Sequence, residues 1–117
     1  MSKIAEAVEV MIAHPEKIAG LQRTDYGRYI FSYKDKVWSA YVDSSEGAAY
    51  LSLYPFAKSS DEVARNPSTE SVSYNSESLE NSSEKKIFFK LYQTLDELHY
   101  RVDKALDDIL ADKTVPF

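Results

Sequence analysis

Two histidines, four spaced aspartates, three clustered lysines and a row of serines flanked by tyrosines are the side chains here with chemistry to offer. His14 precedes Pro15 and His99 follows Leu98. Neither falls in an H-x-x-x-H spacing, and no G-x-S-x-G or P-loop pattern occurs. Cysteine is absent, which excludes disulfides, thiol nucleophiles and thiolate metal sites. Asp103 and Asp107 are four apart, as are Asp108 and Asp112. Each pair therefore shares a helix face, a spacing that invites a metal ion. Arg101 and Lys104 interleave with them, as on a solvated polar face. No catalytic residue, metal site or cofactor is expected. Acids at a helix C-terminus oppose the helix dipole slightly, a hint that the negative charge there serves a purpose.

Lys85, Lys86 and Lys90 are the one basic cluster. The order helix, three strands, helix resembles that of a double-stranded-RNA-binding domain, whose second helix begins with lysines. The likeness stops there. The connection before the last helix is too long, Ile87, Phe88 and Phe89 stand where that family has small residues, and the rest of the chain is acidic. The net charge is −5. Residues 55–84 and residues 96–112 each carry two bases and six acids, while residues 23–54 are balanced at four and four. A nucleic-acid binder needs a basic stripe to displace counterions. The expected partner is a protein, one with a basic surface, and neither nucleic acid nor a membrane.

The most suggestive group is Ser32, Ser39, Tyr41, Tyr50, Ser52 and Tyr54. Alternation places them, with Ile30, on one face of a strand meander between Tyr26 and Tyr54. Tyrosine gives rigid contact area and serine gives short hydrogen bonds, a pairing suited to recognition. The other face carries Tyr29, Phe31, Tyr33, Trp38, Ala40, Val42, Ala49, Leu51 and Leu53, an ordinary core.

A tight turn at Asp35-Lys36 then pairs Tyr33 with Trp38, Phe31 with Ala40 and Tyr29 with Val42. A second turn at Ser44-Ser45-Glu46-Gly47 pairs Val42 with Ala49, Ala40 with Leu51 and Trp38 with Leu53. Both hairpins agree on one buried face. In this register Phe31, Ala40 and Leu51 form one row, and Ser32, Ser39 and Ser52 line up behind it.

Helices must back this sheet. Ile4, Ala7, Val8, Met11 and Ile12 recur at helical spacing over residues 3–13. Pro15 breaks that helix, a short turn through Glu16–Ala19 follows, and Gly20 ends it. Residues 82–111 predict a long helix, with Asn81 and Glu84 as a capping-box-like start. Its stripe runs through Ile87, Leu91, Leu95, Leu98, Val102, Ala105, Leu106 and Ile109. At about 45 Å it should overhang a sheet of about half that length. An uncovered stripe at Val102, Leu106 and Ile109 predicts a homodimer through this helix.

Between sheet and helix lies a segment, 57–83, with nine serines. Asp61–Arg65 is compatible with one helical turn, and residues 70–74 alternate in a way that permits a fourth, edge strand.

The length of 117 residues fits one domain, 1–117, with 57–83 flexible or partly ordered. No apolar run approaches membrane length and the N-terminus lacks a signal pattern, so a cytoplasmic location is expected. The fold class is α+β, α-β-β-β-(β)-α, an antiparallel meander on a long C-terminal and a shorter N-terminal helix. Two functions fit. One is a small acidic non-enzymatic protein-binding domain of adaptor, chaperone-like or inhibitor/immunity type. The other is a small-molecule-binding domain or enzyme with a pocket between the Ser/Tyr face and the 57–83 segment.

Overall fold

The computed structural model describes residues 2–66, 69–79 and 82–112. Helix α1 spans Lys3–Ala13, capped by Ser2, whose Oγ accepts from the Ala5 amide. A 3₁₀ turn at Pro15–Lys17 follows, with proline at its start. Five strands come next in antiparallel order, β1 (Ala19–Arg23), β2 (Tyr29–Tyr33), β3 (Lys36–Asp43), β4 (Ala48–Tyr54) and β5 (Val72–Asn75). Helix α2 (Ser60–Arg65) lies between β4 and β5, and α3 (Ser82–Ala111) closes the chain. The α+β class and the backing by two helices are as the sequence predicts.

The two hairpins differ in outcome. The β3–β4 register holds, with Val42 opposite Ala49, Ala40 opposite Leu51 and Trp38 opposite Leu53. The first hairpin turns one residue earlier than expected, at Lys34-Asp35, both with positive φ. Positive φ at both central residues makes this a type I′ turn, whose twist matches a two-residue hairpin. Pairing therefore slides by two, to Phe31 opposite Trp38 and Tyr29 opposite Ala40. A slide of two keeps every side chain on its own face, so the division into two faces survives while the rows change. Phe31 no longer shares a row with Ala40 and Leu51. Ser39 stands between Ile30 and Ser52, and Ser32 is opposite Val37.

Strand β1 replaces the helical turn expected up to Ala19. Gly20 does not end a helix; it takes φ +60 where the β1–β2 register is irregular between Ala19 and Gln22. A glycine at such a bulge supplies the left-handed backbone.

The main core lies between the sheet and the two long helices. Phe31, Leu51, Val8, Leu91 and Leu95 are each at most 1% exposed. The helices are tied at their starts, where the Ser2 amide donates to Glu84 Oε1 at 2.5 Å. Asn81, the expected cap, lies outside the described residues. The tail of α3 leaves the body as predicted: residues 100–112 are all exposed, and the described chain measures 60 Å along its longest axis.

A second, smaller cluster sits on the opposite face, where Ile30, Val37 and Tyr54 are buried with Ala57 and Val63. Helix α2 therefore folds over part of the Ser/Tyr face. It is held there by Ser60, whose Oγ donates to the Gly20 carbonyl at 2.7 Å. A Cβ on Gly20 would stand 2.7 Å from that oxygen. Gly20→Ala should lower stability by about 1–3 kcal/mol, through left-handed strain and displacement of Ser60. Gly47 has φ +67 with nothing within 4 Å of its Cβ position. Gly47→Ala thus reports strain alone. Thermal unfolding should show the larger drop for Gly20→Ala, and equal drops would mean that the Ser60 contact contributes nothing.

Candidate functional site

The segment Thr24–Arg28 builds one wall of a cavity on the Ser/Tyr face. The Thr24 amide and Oγ1 both donate to the Arg28 carbonyl, at 2.7 and 3.1 Å. Tyr26 and Gly27 have φ 69 and 74, which lets the chain fold back within five residues. On the far side, Tyr92 of α3 donates to the Gly27 carbonyl at 2.5 Å. The loop is thus fixed to the long helix.

The loop sets Arg28 two residues before Ile30, so both side chains share the Ser/Tyr face. The Arg28 guanidinium donates through Nη2 to Ser39 Oγ at 3.2 Å and to the Tyr54 hydroxyl. Ser39 Oγ and the Tyr54 hydroxyl are themselves 2.9 Å apart. Arg28 also stacks near the Tyr54 ring, 5.9 Å from its centroid. Burial draws its pKa below the usual arginine value. Among the described residues no carboxylate forms an ion pair with it.

Beside Arg28 is a cavity of about 480 Å³, lined also by Ile30, Tyr41, Val63, Ala64 and the turn Thr24–Tyr26. That is within the size range of small-molecule sites. It lies between the sheet face and α2, the place where a pocket was expected against the 57–83 segment.

The six residues singled out from sequence divide into two groups. Ser39 and Tyr54 are buried under the α2 side of the face, 3% and 2% exposed, and serve Arg28 rather than the surface. Tyr41, Tyr50 and Ser52 are half-exposed on the β3–β4 side. Tyr41 and Tyr50 are cross-strand partners with stacked rings, 6.2 Å between centroids. The Tyr50 hydroxyl donates to Glu46 Oε2 at 2.7 Å, and this bond holds its proton above the usual range. Ser52 Oγ is 2.9 Å from Ser73 Oγ on β5, which continues the serine row. Ser32 stands apart, half-buried opposite Val37.

Sequence reasoning passed over Arg28. Alternation carried back two residues from Ile30 would have placed it on this face, but the face was read only from Ile30 onward.

The other candidates have structural partners. His14 Nδ1 is 3.2 Å from Glu16 on an exposed turn. His99 meets the Tyr29 ring edge-on at 5.7 Å. Tyr29 donates to Asp96 Oδ1, and burial, then that bond, keep its hydroxyl protonated well above the ordinary range. Lys85 lies 3.9 Å from Glu77. The aspartates of the α3 tail are exposed. Among the described residues no three His, Cys, Asp or Glu side chains cluster to hold a metal ion. Among them also no helix is long and apolar enough to cross a membrane. Compared with known protein families, curated proteins and solved structures, the chain matches none of them.

Proposed function

We propose that this is a non-enzymatic protein-binding domain of the cytoplasm, paired with a second copy of itself through the tail of α3. The observation that carries the reading is the uncovered stripe on that tail. Val102, Leu106, Ile109 and Leu110 are 55%, 52%, 65% and 53% exposed, in line with the buried Leu91 and Leu95 that pack on the sheet. A stripe that continues past its sheet, on a helix tail that no described residue covers, suits a protein interface.

Charge favours a second copy as the occupant. Arg101 and Lys104, with Asp103 between them, precede Leu106, a net charge of +1, whereas Asp107, Asp108 and Asp112 follow it. Two tails crossing antiparallel at Leu106 would set the bases of each beside the acids of the other, while a parallel pair would set like against like. The open half of the Ser/Tyr face then remains for a different protein. Asp43 and Glu46 beside Tyr50 give it a negative edge, which suits a partner with basic groups around an apolar contact.

Light scattering at high micromolar concentration tests the pairing. A dimer is expected, and Leu106→Asp should weaken it by about 2 kcal/mol or more while leaving thermal unfolding of the body unchanged. A monomeric wild-type chain at that concentration removes the pairing from the proposal.

A further inference from the structure

We propose that the cavity beside Arg28 is a binding site for a monocarboxylate carried on an apolar body. The inference is independent of the tail pairing; it shares Tyr41 with the open half of the face, because that residue also lines the cavity.

Arg28 is the point of departure. Only Nη2 of its guanidinium is engaged, by Ser39 and Tyr54. Nε and Nη1 have no hydrogen bond to a described residue, yet they are not among the sealed, unpartnered buried atoms. They therefore remain reachable from outside. Guanidinium presents donors in a planar fork that matches a carboxylate. The Ser39–Tyr54 pair holds the fork from behind, so little freedom is lost when a ligand arrives.

The walls select the rest of the ligand. Ile30, Val63 and Ala64 are aliphatic, and Tyr41 lines the cavity with them. Tyr26 stands at the mouth with 92% of its surface exposed and a left-handed backbone. A strained, exposed aromatic beside a cavity fits a ring used to cover an apolar ligand.

Charge sets the class of anion. Arg28 is the one base lining the cavity, and Asp25 lines it too. A single fork balances a single carboxylate. A phosphate dianion would need a second cation, and it would be repelled more strongly by Asp25.

The test is a titration of the full chain with octanoate, octanol and octylamine, followed by amide chemical shifts. A capped tripeptide ending in leucine or phenylalanine, as free acid and as amide, forms a second arm. Saturable binding of octanoate is expected, with shifts centred on Arg28, Ile30, Tyr41 and Val63, and with octanol and octylamine weaker by about tenfold or more. Arg28→Gln should lose that preference, and Arg28→Lys should recover part of it. Asp25→Asn, on an exposed turn, should tighten octanoate a few-fold, roughly as loss of one partly screened repulsion allows. It keeps the proposal open to refutation if Arg28→Gln unfolds. Binding by the tripeptide acid but not its amide would assign the carboxylate to a chain terminus; binding by octanoate alone would assign it to a free acid. Equal binding of octanol, shifts away from the cavity, or indifference to both Arg28→Gln and Asp25→Asn would overturn the site.

Discussion

Phe31→Ala lowers the free energy of unfolding by about 3–5 kcal/mol, as expected for a buried phenylalanine in a close-packed core. Phe31 is 0% exposed. It stands opposite Trp38 on β3, in the cluster that α1 and α3 cover. Nothing smaller on neighbouring strands can fill the space, since Ala40 and Ala49 already occupy the small positions of that face. The loss is read from the denaturant midpoint at unchanged slope. A loss below about 1.5 kcal/mol would mean that the cluster collapses around the gap, and that α3 is not held rigidly on the sheet. In a domain of this size such a change is a large share of total stability.

The sequence made some of this arrangement legible and hid the rest for definable reasons. The β3–β4 register could be read because Gly47 fixed the turn and three pairs, Val42 with Ala49, Ala40 with Leu51 and Trp38 with Leu53, agreed on one buried face. The first hairpin could be read only to within a slide of two, because alternation repeats every second residue and is blind to such slides. The turn had to decide, and it places Lys34, a poor candidate for positive φ, in the left-handed region next to Asp35. Strand β1 was hidden because Ala19-Gly20-Leu21-Gln22-Arg23 has neither alternation nor β-branched residues, and Gly20 after Pro15 reads as the end of a helix.

The tail of α3 was legible throughout, since one stripe runs from Ile87 to Ile109 while the sheet has a fixed length. The cavity was legible as a place but not in its chemistry. Which part of the Ser/Tyr face is sealed depends on where six residues of α2 dock. That docking rests on Ser60 meeting Gly20, forty residues away in the chain.

That docking makes the tyrosines of the face unequal, and their truncation should separate them. Tyr54→Ala should destabilise by about 3–5 kcal/mol, close to Phe31→Ala. Its ring is 2% exposed between Val37 and α2, and its hydroxyl is an acceptor for Arg28. Removing it opens the second cluster and leaves a half-buried guanidinium with one acceptor fewer. Tyr41→Ala and Tyr50→Ala should each cost less than about 1.5 kcal/mol. Both rings are half-exposed and stack on each other, a cross-strand pair worth a fraction of a core contact. The same two variants should weaken capture of a protein partner by about 2 kcal/mol or more if the open half of the face is the recognition surface. Paired measurements of unfolding and of capture on all three variants decide the matter. Tyr41→Ala and Tyr50→Ala that unfold as readily as Tyr54→Ala would make the whole face a second core. Variants that stay folded and keep full capture would move the recognition surface off the tyrosines and onto the acidic tail of α3. Loss of capture in folded Tyr41→Ala and Tyr50→Ala would leave Tyr54 and Ser39 with one task, to hold Arg28 in place beneath the surface that binds.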